Sequence, residues 1–469
     1  MFKRLLPLTG SLIAAMVFSA AQAKPLPRED LSVAEVLRDR ALESSDAYSI
    51  VESLTVEVGP RRAGTEGDRR AVAWAQKKMK ALGFDRVYTE QVEVPRWVRG
   101  HAHAEVIAPY PQPLVVTSLG YGVATPEGGL SAEIVEFADV EALLKAPSEQ
   151  VKGRIAFVNK RMEKARTGEG YGPAVQGRSR GMRAAATKGA AALLLRSVGT
   201  DSDRFAHTGM MAIKDIENPV PALALSAPDA NLLEAMLGRG KPVVVKLDVD
   251  NTRLADGPSF NVIGEITGRK QPEEVMVIGA HLDSWDEGTG ALDDGAGVAI
   301  VLETARLIAE LPDRPRRTLR VILFGAEEIG LVGAKQYVDA HRHELDNIIA
   351  VSESDFGAGK IWRFDTRLPE NKFDIADQMM QLLAPLGIER GNNASSGGPD
   401  SSVFVAEGVP AFGLYQDGTD YFDYHHTPND TLDKVDPENL RQNVAAWVVI
   451  SFLAAEMEGD LGRIPTNTD

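Results

Sequence analysis

Histidine and aspartate crowd one short stretch of this 469-residue chain, residues 275–297, VMVIGAHLDSWDEGTGALDDGAG. An apolar run at 275–278 reads as a strand, and His281, Asp283, Asp286, Asp293 and Asp294 follow it in a loop with Gly288, Gly290 and Gly295. Open α/β sheets place their chemistry just past the carboxyl ends of strands. Imidazole and carboxylate oxygen there suit a zinc site and need no thiol. Each residue also has an ordinary reading: Asp293-Asp294-Gly295 is a turn signal, Asp294 could cap the next helix, and His281 could be a core histidine. The metal reading gains because three later strand ends carry further ligand types.

The second is Leu323-Phe324-Gly325-Ala326-Glu327-Glu328. Two adjacent carboxylates after an apolar strand are costly if buried and unpaired. Beside metal ions one can bind while the other stays free to accept a proton from the attacking water. The third is Val351-Ser352-Glu353-Ser354-Asp355, and the fourth, Asp423-Tyr424-His425-His426-Thr427-Pro428-Asn429-Asp430-Thr431, holds two of the chain's 8 histidines. Together His281, Asp293, Glu328, Asp355 and His426 suit a two-metal site. Each zinc would take one histidine, one terminal carboxylate and one oxygen of a shared carboxylate, with the ions roughly 3.5–4 Å apart. Asp283, two residues past His281, is placed to orient its ring.

The elements that must position these residues alternate. Helical spacing marks 34–42, 48–58 and 69–82, with a strand at 87–94. From 261 onward strands at 318–325, 347–352 and 410–415 alternate with helices at 298–311, 331–341, 371–383 and 437–458. This is the pattern of an α/β fold, a largely parallel sheet flanked by helices. Between 116 and 248 the composition changes to alanine, glycine and short apolar runs at 155–159, 191–195, 220–225 and 243–249, with helices at 182–188 and 227–237. We read it as a smaller α/β module inserted into a main domain of 24–115 and 249–469. A basic loop at 160–183 carries Arg161, Lys164, Arg166, Arg178, Arg180 and Arg183. It is either a solvated surface or a cap presenting charge to a substrate carboxylate. Arg161, Arg178, Arg180 and Arg183, with Asp400 and His425, are the candidate substrate contacts.

The motifs HLDSWDEGTGALDDGAG, FGAEE, SESDFGAG and YHHTPNDT, in this order, resemble those of the zinc exopeptidases of peptidase family M28. The segment HLDSWD and the inserted module are most similar to its carboxypeptidase Q branch, in which the insertion is a protease-associated (PA) domain. The resemblance implies the zinc exopeptidase fold and two zinc ions. His281 and Asp355 would bind one ion and Glu328 and His426 the other, with Asp293 bridging. Glu327 would be the general base, and the peptide bond between Asp293 and Asp294 would be cis. The implied activity is hydrolysis of dipeptides or short peptides from a free terminus. Rivals are an aminopeptidase acting on longer peptides, a single-zinc cyclase or deacylase on the same fold, and a non-catalytic binding protein.

Composition sets the outer bounds. A net charge of −16 argues against nucleic acid as a partner, and the absence of cysteine excludes disulfides and thiol chemistry. Residues 1–23 read as an export signal: Lys3 and Arg4, an apolar core, then Ala21-Gln22-Ala23. The expected location is periplasmic or extracellular, with a peptide substrate and no stable membrane anchor, and a homodimer is left open.

Overall fold

The computed structural model describes residues 25–466, so the export signal expected at 1–23 lies outside the described residues. Gln271–His281 is buried continuously from Val275 to His281, as a strand covered on both faces must be. It lies parallel to Arg317–Phe324 on one side and Ile348–Glu353 on the other. Ile348–Glu353 pairs in parallel with Ala411–Gln416, while Ile361–Arg367, Thr252–Ile266 and Arg86–Val98 extend the eight-stranded sheet with antiparallel pairs. The fold is mixed α/β, with the parallel strands at its centre.

Helices cover both faces. Arg28–Ser44, Ala47–Glu57, Ala296–Ala309 and Pro437–Glu456 share one apolar core with the strands. Pro437–Glu456 is apolar almost all round because sheet and helices enclose it, and Asp436 caps its first turn. Val332–Ala340 and Ser401–Ala406 pack on the opposite face. Among the described residues no helix is long and apolar enough to cross a membrane.

A second eight-stranded sheet runs in the order Gln112–Leu114, Ala102–Ala108, Val244–Val249, Leu130–Phe137, Ile155–Val158, Ala192–Arg196, Ala222–Leu225, Val116–Ser118. It starts at Ala102, ahead of the composition change at 116, because Ala102–Ala108 pairs antiparallel with Val244–Val249. Tyr171–Thr187 covers one face and Ala227–Leu237 the other. The basic loop expected at 160–183 is therefore half helix. Gly172, Pro173, Gly177 and Gly181 disguise it in the sequence, and packing explains two of them. A Cβ on Gly177 would stand 2.8 Å from Leu195 Cδ1, and one on Gly181 would stand 2.9 Å from Leu193 Cδ2. The helix trades propensity for close approach to the sheet.

Candidate metal centre

The ends of the three central parallel strands deliver the residues. His281 is the last residue of its strand, in register with Phe324 of the next. Past Phe324, Ala326 turns left-handed at φ 63° and sends Glu327 and Glu328 toward His281. Ser354 N–H donates to the Gly279 carbonyl at 3.0 Å, which brings Asp355 alongside. The Asp293–Asp294 peptide is cis. Asp430 anchors this turn, accepting from the N–H of Leu292 at 2.6 Å and of Asp293 at 3.2 Å. Asp294 does not face the cluster's centre: its carboxylate accepts from Gly297 N–H at 3.0 Å, as a cap, and from His281 N–H at 3.2 Å.

The five expected ligand residues converge. His281 Nε2 lies 3.0 Å from Asp293 Oδ1 and 3.5 Å from Asp355 Oδ1. His426 Nε2 lies 3.3 Å from Asp293 Oδ2 and 2.9 Å from Glu328 Oε2. The two oxygens of Asp293 thus face two different histidines. Ligand atoms on one tetrahedral zinc, each bonded at about 2.0–2.1 Å, stand roughly 3.3–3.4 Å apart; the observed separations bracket that spacing.

The far nitrogens of the two imidazoles have different partners. His281 Nδ1–H faces the Asp283 carbonyl at 2.9 Å, and His426 Nδ1 lies 3.3 Å from the Thr208 carbonyl. A carbonyl accepts only, so His281 Nδ1 keeps its proton and its Nε2 is free to ligate; His426 Nδ1 also lies 3.2 Å from Arg178 Nη1, a donor, so carbonyl and guanidinium pull its tautomer in opposite directions. The main-chain contact at His281 corrects the role expected of the Asp283 side chain. Its carboxylate stands 3.7 Å from the His281 ring, beyond hydrogen-bond distance, and instead accepts from Glu327 N–H at 3.0 Å. The Asp283 main chain orients the ring, and its side chain orients Glu327.

The electrostatics call for a cation. Asp283, Asp293, Asp294, Glu328, Glu353, Asp400 and Asp430 are all buried, whereas the buried arginines nearby are Arg61 and Arg178. Burial pushes the carboxyls of Asp294, Glu327, Glu353 and Asp400 well above their usual range, and that of Asp430 up to about 7. At Glu327 the charges of Asp355, Asp400 and Glu328 add to this, against the pull of His281. Burial opposes charge on His426 too, but Glu328 and Asp293 outweigh it and raise the ring to about 9. Asp293 Oδ2 and Glu328 Oε1 are buried without a hydrogen-bond partner. Orphaned carboxylate oxygens beside two imidazole nitrogens fit a divalent metal, which would satisfy all of them.

A cleft of about 430 Å³ opens over the cluster, lined in part by Glu327, Asp355, Tyr171, Arg178 and His425. Of the four arginines expected to reach a substrate, Arg178 alone lines it. It is buried, with Nη1 donating to the Thr208 carbonyl at 3.1 Å and Nη2 to Tyr171 Oη at 2.6 Å. The other three are corrections. Arg161 pairs with Glu234, Arg180 pairs with Glu141, and Arg183 caps the carbonyls of Lys214 and Asp215, all at the surface. They lie on faces where solvation costs nothing. Asp400 is another correction: fully buried behind the cluster beside Glu353, it does not line the cleft. His425 does line it, stacked on His426 with ring centroids 3.5 Å apart and its Nε2 3.7 Å from Asp293 Oδ2.

Sequence reasoning passed over several supporting residues. Arg61, fully buried, donates to the carbonyls of Leu282, Thr289 and Gly290 at 2.6, 2.7 and 2.8 Å and ties down the loop between His281 and Asp293. Arg99 grips Asp286 with two hydrogen bonds of 3.0 and 2.8 Å and also reaches Thr117 and Thr208. Neither arginine has a local motif, since each acts on residues far along the chain.

The family model described as Peptidase family M28 matches residues 261–451. Carboxypeptidase Q of Xenopus laevis is 37% identical over 407 residues, covering 87% of this chain and 85% of that protein. The crystal structure of a Peptidase M28 precursor from Shewanella amazonensis is 51% identical, with a TM-score of 0.92 over 94% of this chain and 99% of its own. A zinc aminopeptidase from Bacillus subtilis has the same fold at 20% identity, with a TM-score of 0.64 over 89% of this chain and 97% of its own.

Proposed function

The chain belongs to peptidase family M28 and is a metallo-exopeptidase, and from this premise we propose that it holds two zinc ions and cleaves dipeptides or short peptides at a free terminus. The observation that carries the two-ion reading is Asp293. Each of its oxygens faces a different histidine, and each histidine has a further carboxylate of its own. His281 and Asp355 would hold one ion and Glu328 and His426 the other, with Asp293 shared between them. When bound, zinc supplies Lewis acidity, polarising the scissile carbonyl and acidifying water to a pKa of about 7.

Glu327 supplies the proton transfers. Its carboxylate takes a proton from the attacking water as the water oxygen bonds to the carbonyl carbon. It returns that proton to the departing amine as the C–N bond breaks. Asp283 Oδ1 fixes the Glu327 backbone at 3.0 Å, so the carboxylate swings from a held point. Burial favours the protonated form of Glu327 and bound zinc would favour the ionised form; the balance suits a group that must do both.

The preference for short substrates rests on Arg178 and Tyr171. They stand in the cleft that holds Glu327, where a guanidinium can meet the carboxylate of a dipeptide. The unit built on the second sheet, from Ala102 to Val249, acts as the PA-like module that brings them there, and the protein is exported to the periplasm or the exterior. The test is a panel of dipeptides with free, N-acetylated and C-amidated ends, beside tetrapeptides, assayed on the zinc-loaded enzyme. Amidation of the C-terminus and Arg178→Gln are each expected to raise KM about 10-fold or more, as for one charge-assisted hydrogen bond. Equal cleavage of C-amidated tetrapeptides would replace this reading with an aminopeptidase on longer peptides.

A further inference from the structure

Resting on the two-zinc reading, we infer that His207, from the unit built on the second sheet, is a positioning residue for the His426 half of the metal centre. His207 is fully buried and lies between strands Ala192–Arg196 and Ala222–Leu225, about as far along the chain from His426 as from residue 1. Its Nδ1 lies 2.7 Å from the carbonyl of His425. Its Nε2 lies 2.5 Å from Asp201 Oδ2, and its backbone N–H donates to Ser197 Oγ at 3.0 Å. Gly199 lies flat on the ring, where a Cβ would stand 2.2 Å from His207 Cε1. The imidazole is thus fixed from three sides before it reaches across to the other unit.

The next residue continues the grip. Thr208 N–H donates to the His426 carbonyl at 3.0 Å, and the Thr208 carbonyl lies 3.3 Å from His426 Nδ1. Thr208 is anchored in turn, its hydroxyl donating to the Ser118 carbonyl at 2.9 Å and accepting from Arg99 Nη2 at 3.0 Å. Successive carbonyls of the 425–426 segment are therefore bound by successive residues of the 207–208 segment. His426 needs this support. It sits at φ 61°, a left-handed conformation that residues with a Cβ rarely adopt, so its backbone must be held from outside. In that conformation its Nε2 faces Asp293 and Glu328. The donor on His207 acts through the His425–His426 peptide on the direction of the ligating nitrogen, as outer partners of metal ligands do elsewhere.

The test uses zinc binding to the full chain, by titration into metal-free protein with a competing chelator, beside peptidase assays at graded zinc. His207→Phe keeps a ring of similar size and removes the donor; His207→Asn returns an amide N–H near the position of Nδ1. Thermal unfolding of the metal-free proteins checks that each is folded. In His207→Phe, one zinc site is expected to weaken about 10–100-fold while the other keeps its affinity. Activity lost at limiting zinc should return with excess zinc, and His207→Asn should recover most of the affinity. Asp201→Ala, which leaves His207 in place and frees its far nitrogen, is expected to weaken the same site by a smaller factor. Two sites of wild-type affinity in folded His207→Phe would overturn the inference and leave the two-zinc reading standing. So would equal losses in the Phe and Asn variants. A wild type that takes up fewer than two ions would overturn both.

Discussion

His281 and His426 face the same carboxylate from opposite sides, but different parts of the chain hold them. His281 ends a central strand, and the carbonyl of Asp283, two residues on, fixes its Nδ1. Its partner Asp355 follows the adjacent parallel strand. This half is made by the register of the first sheet alone. His426 lies in a loop at φ 61°, and its Nδ1 and its main chain lean on Thr208 of the other unit. One half of the centre is built by local topology and the other by docking of two units. Disturbing the junction between the units should therefore act on one metal and spare its neighbour.

The largest effect should be common to both halves. Glu327→Gln removes the proton acceptor while leaving every proposed ligand, so kcat should fall by about 10²–10⁴ with two zinc ions still bound. Metal analysis beside kinetics checks this; zinc lost from this variant would reverse the roles given to Glu327 and Glu328. Next come the terminal ligands. Glu328→Gln should empty the His426 half and Asp355→Asn the His281 half, each leaving one tightly held zinc. If either variant lost both ions together, the halves would not be separable and the comparison would break.

A smaller effect is expected behind the base. Asp283→Ala leaves Glu327 N–H without its acceptor but keeps the carbonyl that orients His281. Activity should fall about 10–100-fold with zinc affinity little changed. A large loss of zinc would mean that the Asp283 side chain, not its main chain, positions the ring. The smallest effect is a proton count. In the metal-free protein His426 is raised to about 9, so it is protonated at neutral pH, and zinc must displace that proton. Calorimetric zinc titrations in buffers of different ionisation enthalpy should show release near pH 7.5 with a His426 share that fades as pH rises through about 9, on top of the share from His281, whose ring Asp355 also holds well above the usual range. A release with no step near pH 9 would remove His426 from the ligand set.

Much of the centre was legible in the sequence because the first sheet obeys local rules. An apolar run followed by an acid or a histidine is visible without a partner, and it led to His281, Glu327, Glu328 and Asp355. The second unit contributes in ways that no local pattern carries. Of helix Tyr171–Thr187 only the end, from Met182, reads as helix; residues 171–181 read as a loop until the packing of Gly177 and Gly181 against Leu195 and Leu193 is known. Without that helix its phase is lost. The phase alone separates Arg178, on the buried stripe with Ala174 and Met182, from the exposed Arg180 and Arg183. His207 and Thr208 act on carbonyls more than 200 positions away, one through a ring nitrogen and the other through its main-chain N–H, with no local pattern around either. The sequence cannot distinguish them from ordinary loop residues.

The central claim is that one carboxylate, Asp293, is shared between two metal sites. The most direct test is anomalous scattering at the zinc edge from crystals of the zinc-loaded protein. Two peaks are predicted, roughly 3.5–4 Å apart, with His281 and Asp355 on one, Glu328 and His426 on the other, and an oxygen of Asp293 on each. A single peak, or two peaks that do not share Asp293, would contradict it.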